Sequence, residues 1–255
     1  MLSRRELLLL GCASPFGDVL ANPSQINAIA IAVSPLVLQE EPEQLSGLAV
    51  ELIRELGRRI GFDVQITVQP RRRADLSFSQ DRQAFLMPVA RIPNREAHFR
   101  WLGPICPRRS RIFALSTRDD LKASKAEALD SIKHLSLAVN GGTATLEQLR
   151  AMGFASISET NSYGAAATML HAGRVDLMAM DELNAYWQLL RLGEPASRIK
   201  VIASVGDDSH YYIVMHPDSD PALLARLNTE LLGLRREGWL RRAHQRYGRA
   251  HAPDS

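Results

Sequence analysis

Ile26-Asn27-Ala28-Ile29-Ala30-Ile31-Ala32-Val33, Gly47-Leu48-Ala49-Val50-Glu51-Leu52-Ile53-Arg54-Glu55-Leu56-Gly57-Arg58-Arg59-Ile60-Gly61 and Asp63-Val64-Gln65-Ile66-Thr67-Val68-Gln69 follow one another with three different hydrophobic patterns. The first is apolar almost throughout, as in a strand covered on both faces. The second sets Leu48, Leu52, Leu56 and Ile60 four residues apart with charged residues between them, an amphipathic helix closed by Gly61. The third alternates, with Val64, Ile66 and Val68 on one face. Strand, helix, strand is the opening of an α/β sheet.

The alternation continues along the chain. Strands are expected at Phe85–Val89, Arg111–Ser116, His134–Val139, Val175–Met180, Lys200–Ser204 and His210–Met215. Helices are expected at Thr143–Met152, Ser162–Ala172, Glu182–Leu192, Pro221–Arg236 and Trp239–Tyr247. No internal repeat, low-complexity tract or long Pro/Gly linker interrupts them.

The 255 residues are 45% hydrophobic and 23% charged, which excludes a disordered, collagenous or coiled-coil chain. That length is enough for one large or two modest domains with a substantial core. A net charge of +3 is weak grounds for a nucleic-acid partner. Two cysteines exclude a disulfide framework and a cysteine-rich metal site.

The N-terminus reads as an export signal over residues 1–21. Arg4 and Arg5 precede the apolar run Leu7–Leu10, and Val19-Leu20-Ala21 ends in the small residues a signal peptidase cuts after. The run is too short to span a bilayer, which takes ~20 residues. Ser3-Arg4-Arg5-Glu6-Leu7-Leu8 resembles a twin-arginine signal. Leu9-Leu10-Gly11-Cys12 offers the competing reading of a lipobox with Cys12 as the lipid-bearing residue. After cleavage at Ala21 only Cys106 remains, and it is expected to be buried and inert.

Enzyme chemistry finds little support. His210 and His216 share a strand face roughly 20 Å apart at ~3.3 Å per residue, too far to hold one metal ion. No nucleophile elbow, P-loop or dinucleotide fingerprint is present. Three other positions share a geometric property: each follows an expected strand, where ligands of open α/β sheets gather. Gly141-Gly142-Thr143 opens a helix whose N-terminal N–H groups suit an anion, although Thr143 alone is also a good helix cap. Asp181 either caps the next helix or holds a cation. Arg95 is either a solvated loop arginine or a planar donor for a carboxylate. Together the three suit a zwitterion, such as an α-amino acid.

The run of segments resembles the periplasmic solute-binding proteins of ABC importers, the polar amino-acid family with the type II periplasmic-binding fold. The resemblance rests on Gly47–Leu52, the Pro70-Arg71-Arg72-Arg73-Ala74 turn, Arg91-Ile92-Pro93-Asn94-Arg95-Glu96 with Phe99 and Trp101–Ile105, Gly141-Gly142-Thr143, and Gly173–Leu177 with Asp181. It extends to Asp220-Pro221, Asn228, Gly238 and Tyr247-Gly248. It implies an α/β fold of two lobes, each a mainly parallel sheet flanked by helices, joined by two crossing strands. Lobe 1 is expected at 26–112 plus 208–255 and lobe 2 at 113–207.

The resemblance also implies that Arg95 binds a ligand carboxylate, that Thr143 and the Gly142 turn assist it, and that Asp181 binds the ammonium. Ala90 stands where the family offers backbone and hydroxyl groups to the ligand. Arg73 matches the arginine of a proline-aromatic-x-arginine turn at the cleft edge and is a further candidate. Two departures are Ser34-Pro35-Leu36-Val37, where the family often has a stacking aromatic, and Pro88-Val89-Ala90-Arg91, where a serine-rich stretch is common.

The expected protein is therefore a periplasmic monomer without cofactor or metal. It captures an amino acid or organic acid between its lobes and delivers it to an ABC permease of the inner membrane. Two other readings use the same scaffold, a cyclohexadienyl-dehydratase-like enzyme and a sensory or partner module that binds no small molecule.

Overall fold

A computed structural model describes residues 24–41, 44–121 and 129–249. Residues 1–21, expected to be an export signal, with Cys12 among them, and the last residues lie outside them. Two five-stranded sheets organise the molecule. The first contains β1 (Ser24–Ile31), β4 (Phe62–Gln69), β5 (Phe85–Ala90), β6 (Arg100–Arg108) and β12 (Ser209–Met215) in the order β4-β1-β5-β12-β6. The second contains β7 (Ser110–Leu115), β8 (Leu137–Asn140), β9 (Ile157–Thr160), β10 (Leu177–Asp181) and β11 (Ile199–Ser204) in the order β11-β7-β10-β8-β9. In the first sheet β1 pairs parallel with β4 and β5, and β12 runs against its neighbours. In the second, β8, β9 and β10 are parallel and β7 runs against them.

The chain passes from the first sheet to the second at Arg109 and returns between Ser204 and Ser209. The first passage falls slightly earlier than the boundary expected at 112, because all of β7 already pairs within the second sheet. The reversed strands β7 and β12 each directly follow a passage, so each passage enters its sheet one strand in from an edge.

Helix α1 (Leu48–Ile60) forms as its periodicity predicts: Leu48, Leu52, Leu56 and Ile60 are buried, Glu51 lies in the first turn, Arg58 and Arg59 lie in the last, and Gly61 ends it in the left-handed conformation. Gly47 enters the helix at φ 117°, where a Cβ would stand 2.4 Å from the Leu36 carbonyl oxygen, so only glycine fits. Helices α3 (Ala144–Ala151), α4 (Tyr163–His171), α5 (Glu182–Arg191), α6 (Pro221–Arg236) and α7 (Trp239–Arg249) also follow the sequence reading.

The departures have local causes. Pro70–Ala74, expected to be a turn, instead leads into α2 (Arg71–Gln80), which buries Ala74 and Phe78 one turn apart. β6 carries Gly103, Pro104 and Pro107, and is tolerated because it is the edge strand of its sheet. Pro88 lies inside the central strand β5 without costing a ladder bond: pairing with β1 stops at Met87, and the register with β12 shifts between Tyr212 and Val214. The short hairpin of β2 (Leu38–Glu41) and β3 (Gln44–Ser46) and the strand β9 also escape the sequence pattern.

Cys106 is the free, buried thiol expected, and burial together with the Asp181 charge pushes its pKa up to about 12. Among the described residues no helix is long and apolar enough to cross a membrane.

Candidate functional site

The 3-10 helix Pro93–His98 follows β5 and buries Arg95, which is 8% exposed. Opposite it, the turn Asn140–Thr143 leads from β8 into α3. Arg95 Nη2 donates to the Glu147 carboxylate on α3 and, at 3.4 Å, to the Gly142 carbonyl. Asn94 Nδ2 donates to the other Glu147 oxygen at 2.8 Å. Arg72 of α2 pairs with Glu159 of β9 at 2.7 Å. These contacts join the two sheets across one seam.

The seam encloses a cavity of about 20 Å³, room for about one water molecule. From the first sheet it is lined by Arg71, Ala90 and Arg95, from the second by Thr143, Thr145 and Tyr163, and near the passages by Arg108 and Tyr211. A groove of about 650 Å³ opens beside it, sharing Arg71 and Arg95 and adding Gly142 and Glu147.

The side chains expected from sequence fall into three groups. Arg95, Thr143 and Ala90 line the cavity, with Gly142 beside them on the groove. Gly142 has φ 70°, and a Cβ there would stand 3.1 Å from Arg71 Cγ, so the turn lies close against α2. The Thr143 hydroxyl caps α3: its Oγ1 accepts from Leu146 N and donates to Asn140 O. Its part in the cavity wall thus coexists with the capping role.

Asp181 and Arg73 do not join them. The Asp181 oxygens accept from Arg109 N at 2.9 Å and Leu183 N at 3.2 Å, capping α5 and fastening the passage into β7, and the residue is not among those lining the cavity. Arg73 is exposed on α2. Successive helical residues turn by about 100°, so Arg71 and Arg73 point roughly oppositely, and it is Arg71 that reaches the cavity, its Nε held by Asp75 at 2.8 Å.

The sequence reading missed Arg108. It is 2% exposed and donates to Ser209 Oγ at 3.2 Å, Thr145 Oγ1 at 3.0 Å and Gln148 Oε1 at 3.2 Å, all neutral acceptors. Burial alternates through the passage, with Cys106, Arg108 and Ser110 buried and Pro107 and Arg109 exposed, but no sequence pattern sets Arg108 apart from Arg109.

The cavity is electropositive. Burial, followed by the neighbouring Arg71 charge, lowers the Arg95 pKa against the opposing pull of Glu147. Burial would raise the Glu147 carboxyl, yet Arg95, Asn94 and Arg71 together hold it below its usual range. Glu147 therefore compensates Arg95 only in part. Arg95 Nη1 is buried and has no hydrogen-bond partner among the described residues.

Burial pushes the Asp181 carboxyl up to about 6 from 3.8, against the Arg109, Asn184 and Leu183 backbone N–H groups and the Arg108 charge. A carboxyl raised in the folded state stabilises it most below the unfolded value, and that contribution is lost as pH rises through about 6. At ~1.4 kcal/mol per unit the loss is about 3 kcal/mol. In Asp181→Asn this fall is expected to disappear, which urea unfolding midpoints measured from about pH 4 to pH 7 would report. Parallel pH profiles for the two proteins would contradict the assignment.

Residues 26–250 match the family model described as bacterial extracellular solute-binding proteins, family 3. The chain belongs to this family. No curated protein matches this solute-binding protein by sequence. Among solved structures it is similar to a histidine kinase sensor domain with similarity to periplasmic binding proteins, at 17% identity and a TM-score of 0.77, covering 88% of this chain and 95% of that one. It is also similar to an ancestral amino-acid-binding protein described as a precursor of cyclohexadienyl dehydratase, at 16% identity, TM-score 0.75, covering 88% and 95% of the two chains. Holo ArgBP from T. maritima matches at 17% identity and TM-score 0.71, with 84% and 91% covered. At these identities the likeness shows the fold, the two-lobed α/β architecture of periplasmic binding proteins with its sheets as the lobes.

Proposed function

We propose that this solute-binding protein captures a small carboxylate-bearing ligand between its lobes, outside the cytoplasm, and presents the closed form to an inner-membrane ABC permease. Lobe 1 comprises the first sheet with α1, α2, α6 and α7, and lobe 2 the second sheet with α3, α4 and α5. The observation that carries this reading is the buried Arg95 with its unpartnered Nη1, lining an interlobe cavity beside the N-terminus of α3. A guanidinium and the first-turn N–H groups of a helix together make a carboxylate seat.

A cavity of about 20 Å³ admits no amino acid or organic acid, so a ligand reaches Arg95 from the neighbouring groove or as the lobes part. Ligand then favours closure by binding the closed form better than the open one. Glu147 occupies Arg95 across the seam, and an incoming carboxylate takes its place. The test is a thermal-shift panel of amino acids, amines and organic acids on the wild type and Arg95→Gln. Stabilisation by carboxylates that is lost in the variant is the expected result; stabilisation unaffected by the substitution would remove Arg95 from the site.

A sensory role for the same cleft is the second reading, favoured by the Arg95–Glu147 pair that closes the lobes on the protein's own carboxylate. A ligand that raises the thermal midpoint yet leaves the lobes apart, read as a larger radius of gyration in X-ray scattering, would favour the sensor.

A further inference from the structure

Three arginines line the interlobe cavity, Arg71, Arg95 and Arg108, and among the described residues no aspartate or glutamate lines it. An α-amino acid needs an anionic or strongly accepting partner for its ammonium. Asp181 accepts from the Arg109 and Leu183 N–H groups, and it is not among the residues lining the cavity. Those two partners belong to its own lobe and to the passage leading into it, so parting the lobes does not release it.

Arg108 adds a second observation. Charged side chains are rarely buried without a counter-charge, because desolvating an unpaired ion is costly. Arg108 is 2% exposed, its hydrogen-bond partners are two hydroxyls and an amide oxygen, and among the described residues no carboxylate lies within ion-pair distance of it. It sits against Thr145 on the first turn of α3, while Arg95 sits against Gly142 and Glu147 of the same turn and its approach. Two guanidinium groups therefore flank one helix N-terminus; Arg95 is ion-paired to Glu147, whereas the Arg108 charge reaches Asp181 only from beyond ion-pair distance.

We propose that the ligand carries two anionic groups and no ammonium, as a short dicarboxylate does, with one carboxylate on Arg95 and the second on Arg108. This rests on the cleft reading above and adds the ligand class to it. The Thr145 hydroxyl, already on Arg108, is placed to orient the second group, and Arg71 adds positive charge to the shared cavity.

Succinate, glutarate, butyrate, glutamine and arginine form the probe set, with affinities read by calorimetric titration on the wild type, Arg108→Gln and Arg95→Gln. The expected result is succinate or glutarate binding at least about tenfold more tightly than butyrate and either amino acid. In Arg108→Gln that preference over butyrate collapses. The wild-type ranking alone decides the matter if Arg108→Gln does not fold. Tightest binding by glutamine or arginine, lost in Arg95→Gln, overturns the two-anion ligand and leaves the cleft reading standing. Affinities indifferent to Arg95→Gln, or no binding by any probe, overturn both.

Discussion

Arg95→Ala is expected to weaken carboxylate binding by about thirtyfold to several thousandfold, equivalent to about 2 to 5 kcal/mol. The magnitude follows from burial. A guanidinium 8% exposed meets its partner with little water to screen it, so the charge-assisted hydrogen bond is worth far more than one at the surface. Glu147 supplies a control with the opposite sign. In Glu147→Gln the competing anion is gone while the side chain keeps its shape, so ligand affinity is expected to rise as Arg95 becomes fully available. Titration of one carboxylate into the three proteins checks both effects. Equal affinity in the wild type and Arg95→Ala would show that the ligand is held elsewhere.

The second large effect is on stability. Phe113 lies near the middle of β7, the strand between β10 and β11, is 0% exposed, and meets Tyr186 edge-on with ring centroids 6.3 Å apart. Phe113→Ala is expected to cost about 3 to 5 kcal/mol through lost burial and the cavity left behind. Leu190→Ala, at a side chain 55% exposed on α5, is expected to stay within about 0.5 kcal/mol. Chemical unfolding midpoints of the two variants check the contrast, and similar midpoints would contradict the core placement of Phe113.

Much of the fold was legible because its elements differ in hydrophobic period. β1 and β5 are apolar on both faces, α1 carries a four-residue leucine repeat, and each is the element its period predicts. α2 was hidden because its first turn is three arginines and it buries only Ala74 and Phe78, too few positions to set a period against a basic run. β6 was hidden by its prolines, which argue against a strand unless its edge position is already known.

The site divides along the same line. Arg95 and Thr143 were identifiable because each follows a strand that the sequence displays openly. Asp181 follows such a strand as well, yet residue type and position do not reveal which N–H groups will claim a carboxylate, and Arg109 N is remote in sequence. The choice of Arg71 over Arg73 needs the helix, since the rotation between them decides which one faces the other lobe. Arg108 needs the tertiary fold, because its partners Thr145, Gln148 and Ser209 come from two distant parts of the chain.

A crystal structure grown with the tightest-binding carboxylate of the probe set tests the interlobe site most directly. The expected result is a ligand carboxylate on Arg95 Nη1 and the first turn of α3, with Glu147 displaced from the guanidinium. A ligand bound outside the cleft while Glu147 still holds Arg95 would contradict it.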